Sequence, residues 1–209
     1  MELKNSETLK NLTRSFSAEC SDGAKYQYMA DEATTQKQEY ISTILKQLAT
    51  NEMAHAKVFY DYVSQNSDVQ DLVVDIKASY PMSHAPLQEM LKIKGENEKK
   101  QAEVVYPAFA KTAKKEGFDK VAQYFEEIAK IEAVHAMVLL ELHNKLANNL
   151  LYVCNNPCLW KCTNCGYEDV LKKAWKKCPL CNKGQGMVKI NLEHSGKDCH
   201  CASNAINCC

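Results

Sequence analysis

The stretches TNEMAHAKVF (50–59) and AKIEAVHAMV (129–138) share one pattern, a glutamate followed three residues later by a histidine. The pairs are Glu52 with His55 and Glu132 with His135. At this spacing both side chains lie on one face of a helix, about one turn apart. A single pair of this kind arises easily by chance on a helix surface. Its meaning therefore depends on which face of each helix the pair occupies.

The first 147 residues contain few glycines and prolines, and apolar residues recur at helical spacing almost throughout. One long connection, 69–84, separates the second predicted helix from the third. A single long crossover within four helices is the ferritin-like arrangement, since a simple up-down bundle uses only short turns. The predicted helices cover roughly 5–32, 36–65, 86–115 and 119–147.

Three residues mark the breaks and irregularities of these helices. Gly117 is expected to end the third helix in a left-handed conformation, and Asp119 is a natural N-cap for the fourth. Pro107 lies inside the third helix and should distort it locally, because proline lacks a backbone N–H.

Both Glu-x-x-His pairs lie on the apolar stripe that each helix turns toward the bundle core. The inward positions of the fourth helix are Val121, Phe125, Ile128, Glu132, His135, Leu139, Leu142 and Leu146. Those of the second are Leu45, Leu48, Glu52, His55, Phe59 and Tyr62, and the first helix carries Glu19 on its stripe. An unpaired buried carboxylate costs several kcal/mol, so these groups require compensation.

The third helix offers two possible inward carboxylates. The stripe through Glu98 reads Leu87, Leu91, Lys94, Glu98, Gln101, Val105 and Ala108, which is largely apolar. The stripe through Glu96 and Glu103 is charged throughout and is typical of a solvated face. Glu98 is therefore the predicted inward carboxylate.

Four inward glutamates and two inward histidines match the di-iron carboxylate pattern of bundle proteins. Two closely spaced cations need bridging anions, which carboxylates supply and imidazoles do not. Oxygen and nitrogen donors suit iron or manganese better than a thiolate-preferring metal. The predicted ligands are Glu19, Glu52, His55, Glu98, Glu132 and His135, whereas His84 and His143 have no such partners and are expected at the surface.

The bulk composition excludes several classes of protein. The 26 basic and 26 acidic residues balance, so nothing indicates binding to nucleic acid or to an anionic membrane surface. No apolar run approaches the roughly 18 residues of a membrane span, and the N-terminal stretch lacks the apolar core of a signal peptide. We therefore expect a cytoplasmic protein.

The eleven cysteines are unevenly placed, because all except Cys20 fall within residues 154–209. A disulfide framework would spread through the domain that it staples, so this clustering favours metal binding. The composition predicts a bundle domain at 1–147, a small metal-binding domain at 148–192 and a flexible cysteine-rich tail at 193–209. Cys154 and Cys158 receive no predicted role.

Four of these cysteines form two knuckles, Cys162-x-x-Cys165 and Cys178-x-x-Cys181. Gly166 follows the first pair and Asn182 the second, and both residue types tolerate the left-handed conformation that such a knuckle requires. This spacing predicts a tetrahedral tetrathiolate metal site. It does not distinguish iron from zinc.

The chain to about residue 190 resembles the rubrerythrins, which combine a ferritin-like di-iron domain with a rubredoxin-like domain. The matching stretches are SFSAECSDGAKY (15–26), NEMAHAKVF (51–59), VYPAFAKTAKKEGF (105–118), IEAVH (131–135) and WKCTNCGY (160–167) with CPLC (178–181). The resemblance covers both the order of the domains and the order of the predicted ligands.

The resemblance implies roles for individual residues. Glu52 and Glu132 would bridge two irons, with Glu19 and His55 serving one iron and Glu98 and His135 the other. Tyr26 and Tyr106 fall where the family has tyrosines near the ligands, and the four knuckle cysteines would hold one redox-active iron in preference to zinc. No catalytic residue beyond the metal ligands is implied.

The implied activity is reduction of hydrogen peroxide to water at the di-iron site. Electrons would come through the tetrathiolate iron from an external donor, an NADH-linked reductase or a rubredoxin-type carrier. The family also implies a head-to-tail homodimer. Two alternatives remain open at this point, a ferroxidase or iron-storage protein and a non-catalytic metal sensor.

The sequence departs from the family at Gln101. Rubrerythrins generally carry an additional glutamate one turn after the third-helix ligand, and one iron moves between that glutamate and the histidine of the first Glu-x-x-His. A neutral amide is a weaker ligand and supplies one negative charge fewer. We therefore expect the oxidised state of the centre to lose stabilisation, with the iron held near His55.

Overall fold

The computed structural model describes residues 2–67 and 72–192, so the predicted tail at 193–209 lies outside the described residues. Within them, four helices form a bundle and a small β unit follows. The helices are α1 (Glu7–Thr35), α2 (Glu39–Gln65), α3 (Leu87–Lys100), α4 (Tyr106–Glu116) and α5 (Asp119–Ala147). A π-helical turn, Gln101–Val105, joins α3 to α4, and the three together make the third helix of the bundle. The predicted fold class is confirmed.

The helix ends follow local chemistry, with one difference from expectation. Ser6 caps α1, since its side chain accepts a hydrogen bond from the Leu9 backbone N–H at 3.0 Å. Gly117 ends α4 with φ of 86°, as predicted. The prediction that Asp119 caps α5 is wrong, because Phe118 holds the cap position and Asp119 is the first helical residue. Its charge still favours a helix N-terminus.

The π-helical turn changes which side chains face the core downstream of it. A π turn accommodates one more residue than an α turn, so the inward stripe shifts by about one position. The predicted inward residue Ala108 is exposed, whereas Tyr106 and Ala110 are buried. Pro107, directly after the turn, has no N–H to continue the α-helical pattern, which accounts for a distortion at this place.

Two apolar clusters fill the bundle, one toward each end. The cluster at the α1–α2 turn includes Leu45 and Leu142, and the cluster at the opposite end includes Leu12, Phe59 and Phe125. The inward glutamates and histidines lie between these clusters, at mid-height of the bundle. Apolar packing above and below therefore separates this polar layer from water.

The β unit consists of β1 (Val153–Lys161) and β2 (Glu168–Lys173), paired antiparallel. It packs onto the end of the bundle, because Leu151 and Ile190 belong to the same apolar cluster as Leu45. The predicted division of the chain at residues 147/148 stays a prediction. None of the helices in the described ranges is long and apolar enough to cross a membrane.

Candidate metal centres

All six predicted bundle ligands are buried, none with more than 6% of its surface exposed. They come from four different helical segments, so only the assembled bundle brings them together. Glu19 lies on α1, Glu52 and His55 on α2, Glu98 on α3, and Glu132 and His135 on α5. The competing candidate Glu96 is exposed, in agreement with the predicted stripe.

Glu52 and Glu132 each reach both imidazoles, one carboxylate oxygen toward each ring. His55 Nδ1 lies 3.1 Å from Glu52 Oε2 and 3.0 Å from Glu132 Oε1. His135 Nδ1 lies 3.1 Å from Glu52 Oε1 and 2.9 Å from Glu132 Oε2. Two carboxylates that span two nitrogen donors form the arrangement expected of ligands that bridge a pair of cations.

The six side chains cannot satisfy one another by hydrogen bonds alone, whereas metal ions could satisfy all of them. An imidazole Nδ1 carries at most one proton, so it cannot serve two or three carboxylate oxygens at once. Glu52 Oε1 and Glu132 Oε1 are buried and have no partner in hydrogen-bonding geometry, although each lies about 3 Å from a ring nitrogen. Oxygen and nitrogen atoms that converge in this way suit iron or manganese.

Glu19 completes the half of the centre around His55. Its Oε2 lies 3.6 Å from His55 Nδ1. Among the described residues, the ligand atoms of Glu19, Glu52, His55 and Glu132 all lie within 4.8 Å of one another. That the six side chains are metal ligands stays a prediction, and their positions suit it.

In the absence of metal, protons balance the negative charge. Burial opposes charge on His55, but the carboxylates of Glu132, Glu19 and Glu52 outweigh it and raise the pKa to about 12. The carboxylates of Glu132 and Glu52 likewise overcome burial and raise the pKa of His135 to about 10. The two imidazoles lower the pKa of Glu52 despite its burial. Without metal, the positive charges of the two imidazolium rings thus offset the negative charges of the carboxylates.

Two buried tyrosines orient the terminal carboxylates. The Tyr106 hydroxyl donates a hydrogen bond to Glu19, and the Tyr26 hydroxyl donates one to Glu98. Burial and the surrounding carboxylates raise the pKa of both phenols well above the usual range. Both hydroxyls therefore remain donors at neutral pH. Tyr106 reaches Glu19 because the π-helical turn brings it to the inward side.

The four knuckle cysteines form a second candidate metal centre. The Sγ atoms of Cys162 and Cys181 lie 3.8 Å apart, and those of Cys165 and Cys178 lie 3.6 Å apart. All four sulfurs lie within 4.8 Å of one another, as a tetrahedral tetrathiolate site requires.

The backbone shapes each knuckle as the sequence predicts. Gly166 (φ 79°) and Asn182 (φ 57°) adopt the left-handed conformation. The backbone N–H of Lys183 stabilises the Cys181 thiolate and lowers its pKa to about 6. At neutral pH this sulfur is therefore already a competent ligand.

Both parts of the chain match sequence models of known families. The sequence model of the rubrerythrin family matches residues 10–100 and 89–156, and the model of the rubrerythrin rubredoxin-like domain matches residues 160–187. The chain belongs to the rubrerythrin family. A rubrerythrin from Clostridium perfringens is 34% identical over 193 residues, which cover 91% of this chain and 97% of that protein. A rubrerythrin from Porphyromonas gingivalis is 32% identical over 180 residues, covering 86% and 87%.

A solved structure shows the same fold. A structure of nigerythrin in a partially reduced state matches with a TM-score of 0.59 and 24% identity, covering 88% of this chain and 86% of that one.

The rubrerythrin bundle of this chain surrounds Glu98 with Gln101, which the sequence predicted there, and with Lys94 and Asp22, which it did not assign to the site. Gln101 Nε2 donates to Glu98 Oε2 and to Asp22 Oδ2, each at 3.1 Å. The Lys94 ammonium lies 2.8 Å from Glu98 Oε1. The sequence did contain a signal for the role of Lys94. This lysine lies on an otherwise apolar stripe, four residues before the predicted inward glutamate. On the opposite side, the Asn51 amide lies 3.3 Å from His135 Nε2 and orients that ring.

The two further cysteines of the rubredoxin-like unit pair with each other rather than with metal. Cys154 and Cys158 form a disulfide within β1. It closes an irregular stretch of that strand, between the pairs Val153 with Lys173 and Cys158 with Leu171. The Asn191 amide lies 3.2 Å from Cys158 Sγ. This bond lies outside the tetrathiolate site.

Proposed function

We propose that the protein is a non-haem di-iron peroxidase that reduces hydrogen peroxide to water, with electrons relayed through a tetrathiolate iron. The observation that carries the proposal is the pair of buried carboxylates, Glu52 and Glu132, each spanning the Nδ1 atoms of His55 and His135. Membership of the rubrerythrin family and the tetrathiolate cluster on the same chain support it.

Each group of residues has a chemical task in this proposal. Two ferrous ions would supply the two electrons that cleave the O–O bond, so that hydrogen peroxide, two electrons and two protons give two waters. Glu52 and Glu132 would hold both ions, and His55 and His135 would hold one each. Tyr106 and Tyr26 keep Glu19 and Glu98 in a single orientation, and the flanking apolar clusters keep bulk water out.

A surface cavity lies beside the candidate centre and is the side from which we propose that the peroxide approaches. A cavity of about 270 Å³ is bordered by Asp22, Gln101 and Tyr106. Of these residues, Gln101 donates a hydrogen bond to Glu98 and Tyr106 donates one to Glu19. The cavity has ample room for hydrogen peroxide. Because Gln101 also donates to Glu98, the amide borders both the cavity and the centre.

The distance between the rubredoxin-like unit and the bundle centre of the same chain favours electron transfer between the two subunits of a dimer. The rubredoxin-like unit packs at the end of the bundle near Ala33, and Glu19 lies about 21 Å along α1 from that residue at 1.5 Å per residue. In a head-to-tail homodimer, the tetrathiolate iron of one protomer would serve the bundle centre of its partner. The exposed Leu180, beside Cys181, is an apolar contact available for such docking or for an external redox donor.

A spectroscopic experiment tests the activity. The iron-loaded protein is reduced anaerobically, which should bleach the thiolate-to-iron absorption, and hydrogen peroxide is then added. We expect the absorption to return with peroxide and not in a Glu132→Gln variant, in which one bridging carboxylate is removed. An iron-storage protein would instead accumulate iron beyond three ions per chain, and a metal sensor would show no turnover. Lack of peroxide-dependent reoxidation in the wild type would refute the proposal.

A mixing experiment tests the dimer. A Cys178→Ser chain lacks the relay and a Glu132→Gln chain lacks an intact bundle centre, so each homodimer should be inactive. If the centres work between subunits, mixed dimers regain activity through one intact pair. No recovery in verified mixed dimers would refute the head-to-tail arrangement.

A further inference from the structure

A buried lysine lies in the wall of the candidate di-metal centre. Lys94 has only 2% of its surface exposed, although lysines are almost never fully buried unless they are paired. Its ammonium lies 2.8 Å from Glu98 Oε1, 3.0 Å from Asp22 Oδ1 and 4.9 Å from the centre of the Tyr26 ring. Three neighbours thus hold a fixed positive charge directly against a predicted metal ligand.

Donors from this chain already occupy both oxygens of Glu98. Oε1 accepts a hydrogen bond from the Tyr26 hydroxyl and forms an ion pair with the Lys94 ammonium at 2.8 Å, and Oε2 accepts a hydrogen bond from the Gln101 amide. A cation that binds Glu98 must therefore displace or share one of these donors. Such competition lowers the affinity of that position for metal.

The other half of the centre has no comparable cation. Within the described residues, the ion pairs of Glu19, Glu52 and Glu132 are made to the imidazoles of His55 and His135, which are themselves predicted metal ligands. Lys94 is not a predicted ligand, and its ion pairs with Glu98 and Asp22 place an additional positive group beside Glu98 alone. The two halves of the centre therefore differ in fixed charge.

The charge of Lys94 is only partly offset by its second partner. Asp22 also lies 3.3 Å from the ammonium of Lys25, so one carboxylate is shared by two lysines. The group of Lys25, Asp22 and Lys94 carries a net positive charge beside Glu98. This charge would repel a cation at the Glu98–His135 position more strongly than one at the Glu19–His55 position.

We propose that Lys94 makes the di-metal centre bind its two cations in unequal steps. The Glu19–His55 half takes a divalent cation first and tightly, and the Glu98–His135 half takes the second at least tenfold more weakly. The proposal rests on the proposed function in requiring that the bundle binds two metal ions. It adds that the Glu98–His135 half exchanges its metal, while the other half keeps it.

The test is an anaerobic titration of the metal-free full chain with Co²⁺, followed by visible absorption and calorimetry. Cobalt bound to four thiolates has intense charge-transfer bands, which separate the tetrathiolate site from the bundle centre. We expect two bundle steps in the wild type, with dissociation constants that differ at least tenfold. In Lys94→Met the second step should tighten about tenfold while the first is unchanged.

Two further variants assign the effect to the contact with Glu98. Lys25→Met removes the lysine that touches Asp22 without an ion pair to Glu98, so it should narrow the gap between the two dissociation constants by less than Lys94→Met does. Lys94→Met combined with Asp22→Asn removes both charges of the pair and should still narrow the gap.

Each outcome decides one proposal. Equal steps in the wild type, or an unchanged gap in both Lys94 variants, would overturn the role of Lys94 and leave the di-metal centre intact. Equal steps in the wild type would overturn the proposal even if the variants do not fold. Absence of any cobalt in the bundle would instead refute the proposed function.

Discussion

At the residue scale, the imidazole protons of the metal-free bundle substitute for metal charge. Both histidines have folded pKa values, about 12 for His55 and about 10 for His135, above the ordinary value near 6.5. The stability that these groups add to the metal-free fold is therefore fully present below about pH 6.5. It is lost as the pH rises through about 10 and then 12.

Metal binding should release these protons. At pH 7 both imidazoles must lose a proton before Nδ1 can coordinate, so at least two protons leave as the bundle fills. The apparent affinity should then rise about a hundredfold per pH unit between pH 6 and 8. Calorimetry in buffers of different ionisation enthalpy measures the proton count. Binding without proton release would show that the histidines are not ligands.

Gln101 should set the redox balance of the centre. A carboxylate at this position adds negative charge beside Glu98 and stabilises the more highly charged oxidised metals, so Gln101→Glu should lower the reduction potential. Potentiometric titration of the bundle centre measures the change. Glu96→Gln, which alters an exposed carboxylate on the same helix, is the matched control and should leave the potential unchanged. An equal potential in Gln101→Glu and the wild type would contradict this prediction.

At the element scale, the π-helical turn decides which residues of α4 face the core. An uninterrupted α-helix would bury Ala108 and expose Ala110. In the structure Ala108 is exposed and Ala110 has only 3% of its surface exposed. The same shift brings Tyr106 onto Glu19, so this turn connects the shape of a helix to the orientation of a predicted ligand.

A matched pair of substitutions tests which residues of α4 face the core. Ala108→Glu should change the free energy of unfolding by less than about 0.5 kcal/mol, because the new charge stays in water. Ala110→Glu should cost several kcal/mol, because it buries a charge without a partner. Urea denaturation of both variants measures the difference. A larger loss of stability in Ala108→Glu than in Ala110→Glu would show that the π-helical turn lies elsewhere in the helix.

At the scale of the whole molecule, the rubredoxin-like unit and the bundle share one apolar cluster. Ile190 and Leu151 pack with Leu45 and Leu142, and the Tyr152 hydroxyl donates to Gln38 Oε1 at 2.8 Å. The two units therefore stabilise each other, which goes beyond what a flexible linker between two independent domains would give.

Shortening a side chain of the rubredoxin-like unit that packs on the bundle should destabilise the whole protein. Ile190 is 2% exposed, so Ile190→Ala should lower the free energy of unfolding by about 2–5 kcal/mol through lost packing and a residual cavity. Thermal denaturation followed at the helix signal measures the loss. Leu180→Ala, at a leucine that is 67% exposed, is the control and should change little. Equal stability of both variants would mean that the units unfold independently.

Local patterns in the sequence predicted features that depend on one segment alone. The Glu-x-x-His spacing, the knuckles with Gly166 and Asn182, and the choice of Glu98 over Glu96 each follow from the periodicity or turn chemistry of a single element. The helix ends differ from expectation by a few residues, because end positions depend on capping contacts as well as on periodicity. Lys94 stood on the predicted inward stripe, but the sequence alone did not show its partner.

What the tertiary structure decided are the contacts between elements. The reach of Glu52 to His135, the pairing of Lys94 with Asp22 and the packing of Ile190 on the bundle all join residues far apart in the chain. The phase of α4 and the Cys154–Cys158 disulfide also appear only in the folded chain. The physical reason is that periodicity reports which face of one helix is buried, while the partner across the core depends on the axial register and rotation of two helices packed together.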